Sequence, residues 1–396
     1  MKKLLGVLLL ALVSCAGPKS SDENKEEPTP VVMAYFVAGE HYEPEHVPVE
    51  KLTHIIYSFS NVIDGLMKFK DPETSGEKLK ELVSQKFRNP DLKVMIACGG
   101  WGADGFSDMA STAENRDAFV GSTIDFIEKY QLDGVDIDWE YPAIPAAGTG
   151  AREEDKQNFT LLMKELREAL DKLNGPQTLT FASAGWKRYY ENIETVEVMK
   201  YADYMNVMTY DQVGATSPYT AHHTALGYIT EQDLSESFIS YIESRREEMA
   251  KRGYSWEPRS VEKIIDFILE KGVHAEQLVV GAAFYGRAWK GVDPKNNGLY
   301  QPNGGSHIGW VSYDQIRRDF ESDPNYKRYW DTIAKAPFLY SEVDSIFVSY
   351  DDTVSVRLKT RYAIDKSLGG IMFWELGNDT KTENGLLDAI DKAVKQ

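Results

Sequence analysis

One grammar recurs from residue 31 to the end of the chain: a short apolar strand, a loop rich in Gly, aromatic and acidic residues, then a segment with helical apolar spacing. Strand candidates fall at 31–37, 53–59, 93–98, 132–142, 178–183, 202–208, 278–283 and 370–374. Helical periodicity marks 113–130, 153–173, 231–252, 260–271 and 354–368; in the second of these Phe159, Leu162, Leu166, Leu170 and Leu173 recur on one face. Eight strands alternating with helices over about 360 residues predict the α/β class, as a (β/α)8 TIM barrel. A doubly wound open sheet is the alternative, but no Gly-x-Gly-x-x-Gly follows any strand. The long gap before the eighth strand holds residues 288–350, rich in Gly, Asn, Tyr and Trp, with a further strand-like piece at 345–350. They are expected to form a small α+β insertion on the C-terminal face of the barrel. The charge run at 241–256 is expected to be a solvated helix.

The fourth strand is unlike the others. In Leu132-Asp133-Gly134-Val135-Asp136-Ile137-Asp138-Trp139-Glu140-Tyr141-Pro142, four carboxylates fall within eight residues. Alternation along an extended strand puts Asp136, Asp138 and Glu140 on one face, about 6.5–7 Å apart, and Val135, Ile137 and Trp139 on the other. A solvated acidic edge strand is the plain alternative. The sharper expectation is a row of coupled carboxyls in a cavity, whose mutual repulsion keeps one of them protonated as an acid.

Polar and aromatic residues gather at the C-terminal ends of the other strands, where a barrel of this kind builds its active site. Tyr35 ends the first strand, Phe59 the second and Gly99-Gly100-Trp101 the third, while Tyr141 follows the acidic row. Met208, Tyr210 and Asp211 end the sixth strand, Tyr285 and Arg287 the seventh, Trp374 and Glu375 the eighth. A lone tyrosine in such a place is usually packing; contributions from nearly every strand at the same end are not. Trp101, Trp186, Trp289, Trp310, Trp330 and Trp374 lie on or after loops, and flat rings beside carboxylates suit a sugar. Trp139, on the outward face, reads as packing.

A net charge of −18 argues against nucleic acid and anionic membrane surfaces as partners. Two cysteines, Cys15 and Cys98, cannot make a disulfide framework, and the seven histidines show no metal-ligand spacing, so no metal and no cofactor are expected. Residues 1–14 carry two lysines and an apolar run of signal-peptide length, too short to span a bilayer. Leu12-Val13-Ser14-Cys15 resembles the lipobox of bacterial lipoproteins, which implies lipidation of Cys15 and anchoring to the outer membrane at the cell envelope, with surface exposure suggested by the acids that follow. Cleavage after Ala16, and hence secretion, is the alternative. Residues 15–30 then read as a lipidated cysteine and disordered tether, and 31–396 as the catalytic domain.

DGVDIDWEYP fits the DxxDxDxE signature of glycoside hydrolase family 18, the chitinase family, at Asp133, Asp136, Asp138 and Glu140. THIIYSF at 53–59, GGW at 99–101, MTYD at 208–211, FYGRAW at 284–289 and MFW at 372–374 match in family order. The resemblance covers roughly residues 31–395 and includes an α+β insertion found in one subfamily. It implies hydrolysis of β-1,4-linked N-acetylglucosamine polymers by a retaining, substrate-assisted mechanism. Glu140 would be the general acid and base, Asp138 would hold the substrate acetamido N–H, and Asp136 would complete the row. Tyr210 would bond the acetamido group and Asp211 the −1 sugar, over a floor formed by Trp374. Tyr35, Phe59, Gly100, Trp101, Tyr141, Met208, Tyr285 and Arg287 would line the cleft.

One departure stands out: the family's Ser-x-Gly-Gly after the third strand reads Ala97-Cys98-Gly99-Gly100 here, so Asp136 loses its usual hydroxyl and must find another donor, such as Tyr35 or water. Competing activities are those of an endo-β-N-acetylglucosaminidase on N-glycans or a hydrolase of peptidoglycan. A non-catalytic chitin-binding lipoprotein is the remote alternative, disfavoured because Glu140 is present. The partners implied are chitin or N-acetylglucosamine oligosaccharides, with the protein a monomer touching membrane only through its lipid.

Overall fold

The computed structural model describes residues 29–39, 43–251 and 255–396. The leader, Cys15 and the tether as far as residue 28 lie outside the described residues. In chain order the strands are β1 (Val31–Phe36), β2 (His54–Ile63), β3 (Leu66–Lys68), β4 (Lys93–Gly99), β5 (Gly134–Asp138), β6 (Thr178–Ala184) and β7 (Tyr204–Met208). They continue as β8 (Leu278–Ala283), β9 (Tyr285–Lys290), β10 (Ser306–Ser312), β11 (Lys327–Asp331), β12 (Ala336–Ser341), β13 (Ile346–Tyr350) and β14 (Gly370–Trp374). β1 pairs in parallel with both β2 and β14, and the series β2-β4-β5-β6-β7-β8-β14 is parallel throughout. The sheet therefore closes on itself as a (β/α)8 TIM barrel. β3 folds back as an antiparallel hairpin on the end of β2.

Barrel strands are covered on both faces, which is why they read as near-continuous apolar runs. All six residues of β8 (LVVGAA) are buried. Outward-facing Val135 and Ile137 join the large core under the helices, where Trp139 stacks on Phe106 at 5.4 Å and meets Phe159 edge-on. The lumen is filled by Met33, Tyr35, Ile56, Met95, Ala97, Val279 and Met372, and Phe59, Met208, Tyr210 and Trp374 close over it at the mouth. Helices Ala113–Tyr130, Asp155–Leu170, Val261–Glu270 and Thr353–Asp365 stand where periodicity predicts them; Pro72–Ser84 and Leu386–Val394 complete the outer ring. Their ends are capped locally. Thr112 accepts from the Asn115 N–H, and Asp352 accepts from those of Val354 and Ser355.

The acidic strand is shorter than the alternation predicts. β5 ends at Asp138, so Glu140 lies beyond it on the connecting loop. That loop is tied down by buried Asp155, which accepts from Ser107 Oγ at 2.8 Å, the Arg152 N–H at 2.7 Å and the Ala143 N–H at 3.4 Å.

β9 to β13 make a separate antiparallel sheet in the order β10-β9-β13-β12-β11. It begins at Tyr285, with only Phe284 between it and β8 and three residues before the expected boundary, because FYGRAW runs out of the barrel strand without an intervening turn. Trp289, Phe338, Tyr340 and Phe347 form its own core, against which helix Glu236–Lys251 lays Phe238 and Ile242. The charge run, helical from 241 to 251, is thus solvated on one face only; 252–254 lie outside the described residues. Trp289, placed by its sequence among rim aromatics, is instead fully enclosed in this second core.

Candidate active site

The close approach of β4 and β5 at the mouth requires glycine. Gly99 has φ +125°, and a Cβ there would lie 2.0 Å from the Asp138 carbonyl oxygen. The Gly100 N–H donates to that same oxygen at 2.9 Å, and a Cβ on Gly100 would strike the Phe59 ring at 2.9 Å. Two glycines thus fix where Asp138 leaves the barrel and leave room for Phe59 beneath Trp374.

Asp136 is fully buried and saturated. Its Oδ1 accepts from Thr180 Oγ1 at 2.5 Å and Asn206 Nδ2 at 3.2 Å, and its Oδ2 from the Tyr35 hydroxyl at 3.0 Å. Ala97, paired with Asp136 across β4 and β5, supplies nothing. The anticipated Tyr35 donor is present; Thr180 and Asn206, which sequence reasoning missed, supply the rest. Burial pushes the Asp136 carboxyl up to about 6, with the three donors pulling against it.

Asp138 is also buried, and its Oδ1 has no hydrogen-bond partner among the described residues. Burial first, then the charges of Glu140 and Asp136, hold it well above the usual carboxylate range. Glu140 is pushed up to about 7 by burial, with Asp211 adding to the rise and the Tyr141 side chain opposing it. All three carboxyls of the row are pushed up, and burial leads while repulsion follows, the reverse of the order expected from spacing alone.

Asp211 takes the opposite course. At φ +54° it turns its side chain back so that Oδ1 accepts from the Tyr285 hydroxyl at 2.7 Å and from Arg287 Nε at 2.9 Å and Nη2 at 2.5 Å. Burial would raise it, but His223 when protonated, Arg287 and Tyr285 outweigh that and hold it down at about 2. Opposed environments, one carboxyl pushed up and one held down, are the mark of acid–base assignments.

The remaining rim residues separate into those that meet the cleft and those that act from behind. Trp374 stacks on Phe59 at 5.4 Å and tilts against Tyr35 at 5.9 Å. Trp101 is 67% exposed and touches Tyr141, which also meets Trp186 edge-on at 5.4 Å. Tyr210 and Met208 pack over the lumen, with the Tyr210 hydroxyl 3.9 Å from Met372 Sδ. Tyr35 and Tyr285, expected to line the cleft, are buried, with their hydroxyls on Asp136 and Asp211 and their rings against Trp374 and Trp310. Arg287 is likewise committed, to Asp211 and the Gly309 carbonyl. Trp310 extends the aromatic wall from the insertion, stacked over Tyr285 at 6.0 Å.

Fold and site together define an α/β-barrel protein with a buried carboxyl row beneath aromatic residues at the barrel mouth, the architecture of barrel glycosidases. The chain belongs to the glycosyl hydrolases family 18, whose model matches residues 31–379. It is 39% identical to Chitinase A1 of Niallia circulans over 76% of this chain and 42% of that one. It is 30% identical to Chitinase B of Serratia marcescens, over 87% and 76%. Among solved structures, a glycoside hydrolase family 18 N-acetylglucosaminidase from Paenibacillus barengoltzii superimposes with a TM-score of 0.79 and 35% identity, covering 92% of this chain and 99% of that one. The chain therefore spans less than half the length of the Niallia protein but nearly all of the Paenibacillus chain.

Proposed function

We propose that this protein is a chitinase-type glycosidase that cleaves β-1,4-linked N-acetylglucosamine chains with retention, using the substrate's own acetamido group as nucleophile. The observation that carries this reading is Asp138 Oδ1, buried without a partner among the described residues, beside a Glu140 raised to about 7. An orphaned acceptor of that kind is costly unless a ligand donor meets it, and the acetamido N–H of a −1 sugar is such a donor.

Protonated Glu140 gives its proton to the glycosidic oxygen as the bond to the anomeric carbon breaks. The acetamido oxygen closes on that carbon, forming an oxazolinium ion whose N–H is held by Asp138. Water then attacks the anomeric carbon, the carboxylate of Glu140 takes its proton, and the ring opens to the product. Two inversions leave the anomeric configuration unchanged. Asp136 sits beneath the pair and Asp211 supports the sugar from the other side. Phe59 and Trp374 form the floor, while Trp101, Tyr141 and Met208 flank it. The names of the Niallia and Serratia relatives support chitin and its oligosaccharides as substrate.

The name of the Paenibacillus structure favours a second reading, release of single sugars from a chain end. Mass spectrometry of products from chitin oligomers, peptidoglycan and a high-mannose glycoprotein, run side by side, separates the cases. Internal cleavage of chitin oligomers alone is expected. Single-sugar release would support the second reading, and products from only the other two polymers would overturn both. For location we propose a lipid on Cys15, as the lipobox-like Leu12–Cys15 suggests; an unmodified terminus by intact-mass analysis of membrane-extracted protein would contradict it.

A further inference from the structure

Behind Asp211 lies a histidine that the mechanism above does not use. His223 is fully buried on the loop after β7, with its backbone N–H donated to Ser349 Oγ of β13 and its ring tilted against Tyr285 at 5.1 Å. Its two ring nitrogens are in unlike settings. Nε2 is 3.2 Å from the Tyr285 carbonyl oxygen, an atom that can only accept, so Nε2 carries a hydrogen. Nδ1 has no hydrogen bond among the described residues and stands 3.8 Å from Asp211 Oδ1, beyond bonding range but in direct electrostatic contact. A neutral ring therefore turns a lone pair towards a carboxylate; a second proton would turn that repulsion into an ion pair.

We propose that His223 is a positioning residue for Asp211. Neutral, it leaves Oδ1 to Tyr285 and Arg287 and so keeps the carboxylate presented to the cleft. Protonated, it donates Nδ1–H to Oδ1 and draws that oxygen away from them.

The charged groups facing the ring come from several elements. Asp211 on the same loop and Asp351 after β13, itself paired with Lys359 of helix Thr353–Asp365 at 2.6 Å, favour the imidazolium. Arg287 of β9 disfavours it, and burial, the largest influence, holds the ring below its ordinary value. The neutral form thus prevails near neutrality and the change falls on the acid side. The inference rests on Asp211 facing the sugar, as proposed above.

Two measurements test it, one of them independent of activity. The histidine ring resonances of the wild-type protein are followed by NMR from pH 8 to pH 4, with His223 assigned by the peak that His223→Asn removes. A titration below pH 6.5 is expected; a His223 signal unmoved over the whole range overturns the proposal. Asparagine cannot take the proton. In that variant the acid limb of kcat/KM on chitohexaose should lose one ionisation, about tenfold per pH unit below its midpoint, with the change carried by KM rather than kcat. Activity lowered equally at every pH, leaving the shape of the profile intact, would mean a structural role only and would overturn it. If His223→Asn fails to fold, His223→Gln serves for both measurements. A titrating His223 in a protein with no activity on any N-acetylglucosamine polymer would sink the functional reading and leave the proton switch standing.

Discussion

Asp138 shows how a single residue can be read from what it lacks. Asp136 below it has a donor for each oxygen, and Asp211 has three on one oxygen, yet Asp138 Oδ1 is enclosed with none among the described residues. Replacing it with asparagine keeps the size and one carbonyl acceptor but removes the carboxyl's capacity for charge, so the acetamido N–H is held without compensation for the positive charge that develops. Because that bond strengthens as charge develops on the acetamido nitrogen, Asp138→Asn should lower kcat by about 10²-fold or more while KM changes only a few-fold. Steady-state kinetics on chitohexaose will show it; an unchanged kcat with a higher KM would count against substrate assistance. His223 and Asn206 escaped sequence reasoning for the same physical reason. Each is a polar residue with no local pattern around it, and each gains its meaning only when the barrel brings it to a carboxylate.

At the scale of the element, the mouth of the barrel is set by β4 meeting β5. Gly99→Ala would force a Cβ onto the Asp138 carbonyl from a backbone conformation that alanine rarely adopts. Strain in φ alone costs roughly 1–3 kcal/mol, so this variant should melt several degrees lower and lose activity as Asp138 shifts. Gly102→Ala, at φ +75° with 3.7 Å of clearance, should lose less on both counts. Thermal melts of the pair test the assignment, and equal losses would contradict it. The eight barrel strands were legible because each is a short apolar run covered on both faces, and β8 and β14 fall at the residues expected. The acidic strand was overextended because alternation continues past Asp138 in the sequence while the hydrogen-bonded ladder stops there. The insertion starts earlier than expected because β9 follows β8 with a single residue between them, so composition marks no boundary. The mouth aromatics were visible as residues, but not their burial: Trp101 is exposed, Tyr285 is buried under Trp310, and Trp289 is sealed in the core of the second sheet.

For the whole molecule, the buried row links catalysis to stability. Glu140, raised from 4.5 to about 7, binds its proton more tightly folded than unfolded. Its contribution to stability is therefore full below pH 4.5 and is lost as pH climbs through about 7, on the order of 3 kcal/mol. Asp136, raised from 3.8 to about 6, works in the same direction over a lower window. Asp211, held at about 2, acts oppositely but only below about pH 4. Buried His54, lowered to about 4, and His223, also lowered, pull the other way below pH 6.5, so the melting temperature should fall from pH 5 to pH 8 with the drop steepest above pH 6.5. Glu140→Gln should flatten that slope and melt above the wild type at pH 8, with the difference closing towards pH 5. A wild-type melting temperature that rises over the same interval would contradict the burial-led account of the row.

The same variant supplies the most direct test of the central claim, that Glu140 is the acid and base of a glycosidase. Initial rates of chitohexaose hydrolysis at pH 6 are compared between wild type and Glu140→Gln, both shown to be folded by their melts. The predicted outcome is a loss of at least ~10²–10⁴-fold in the variant. Hydrolysis within about threefold of the wild type would contradict it.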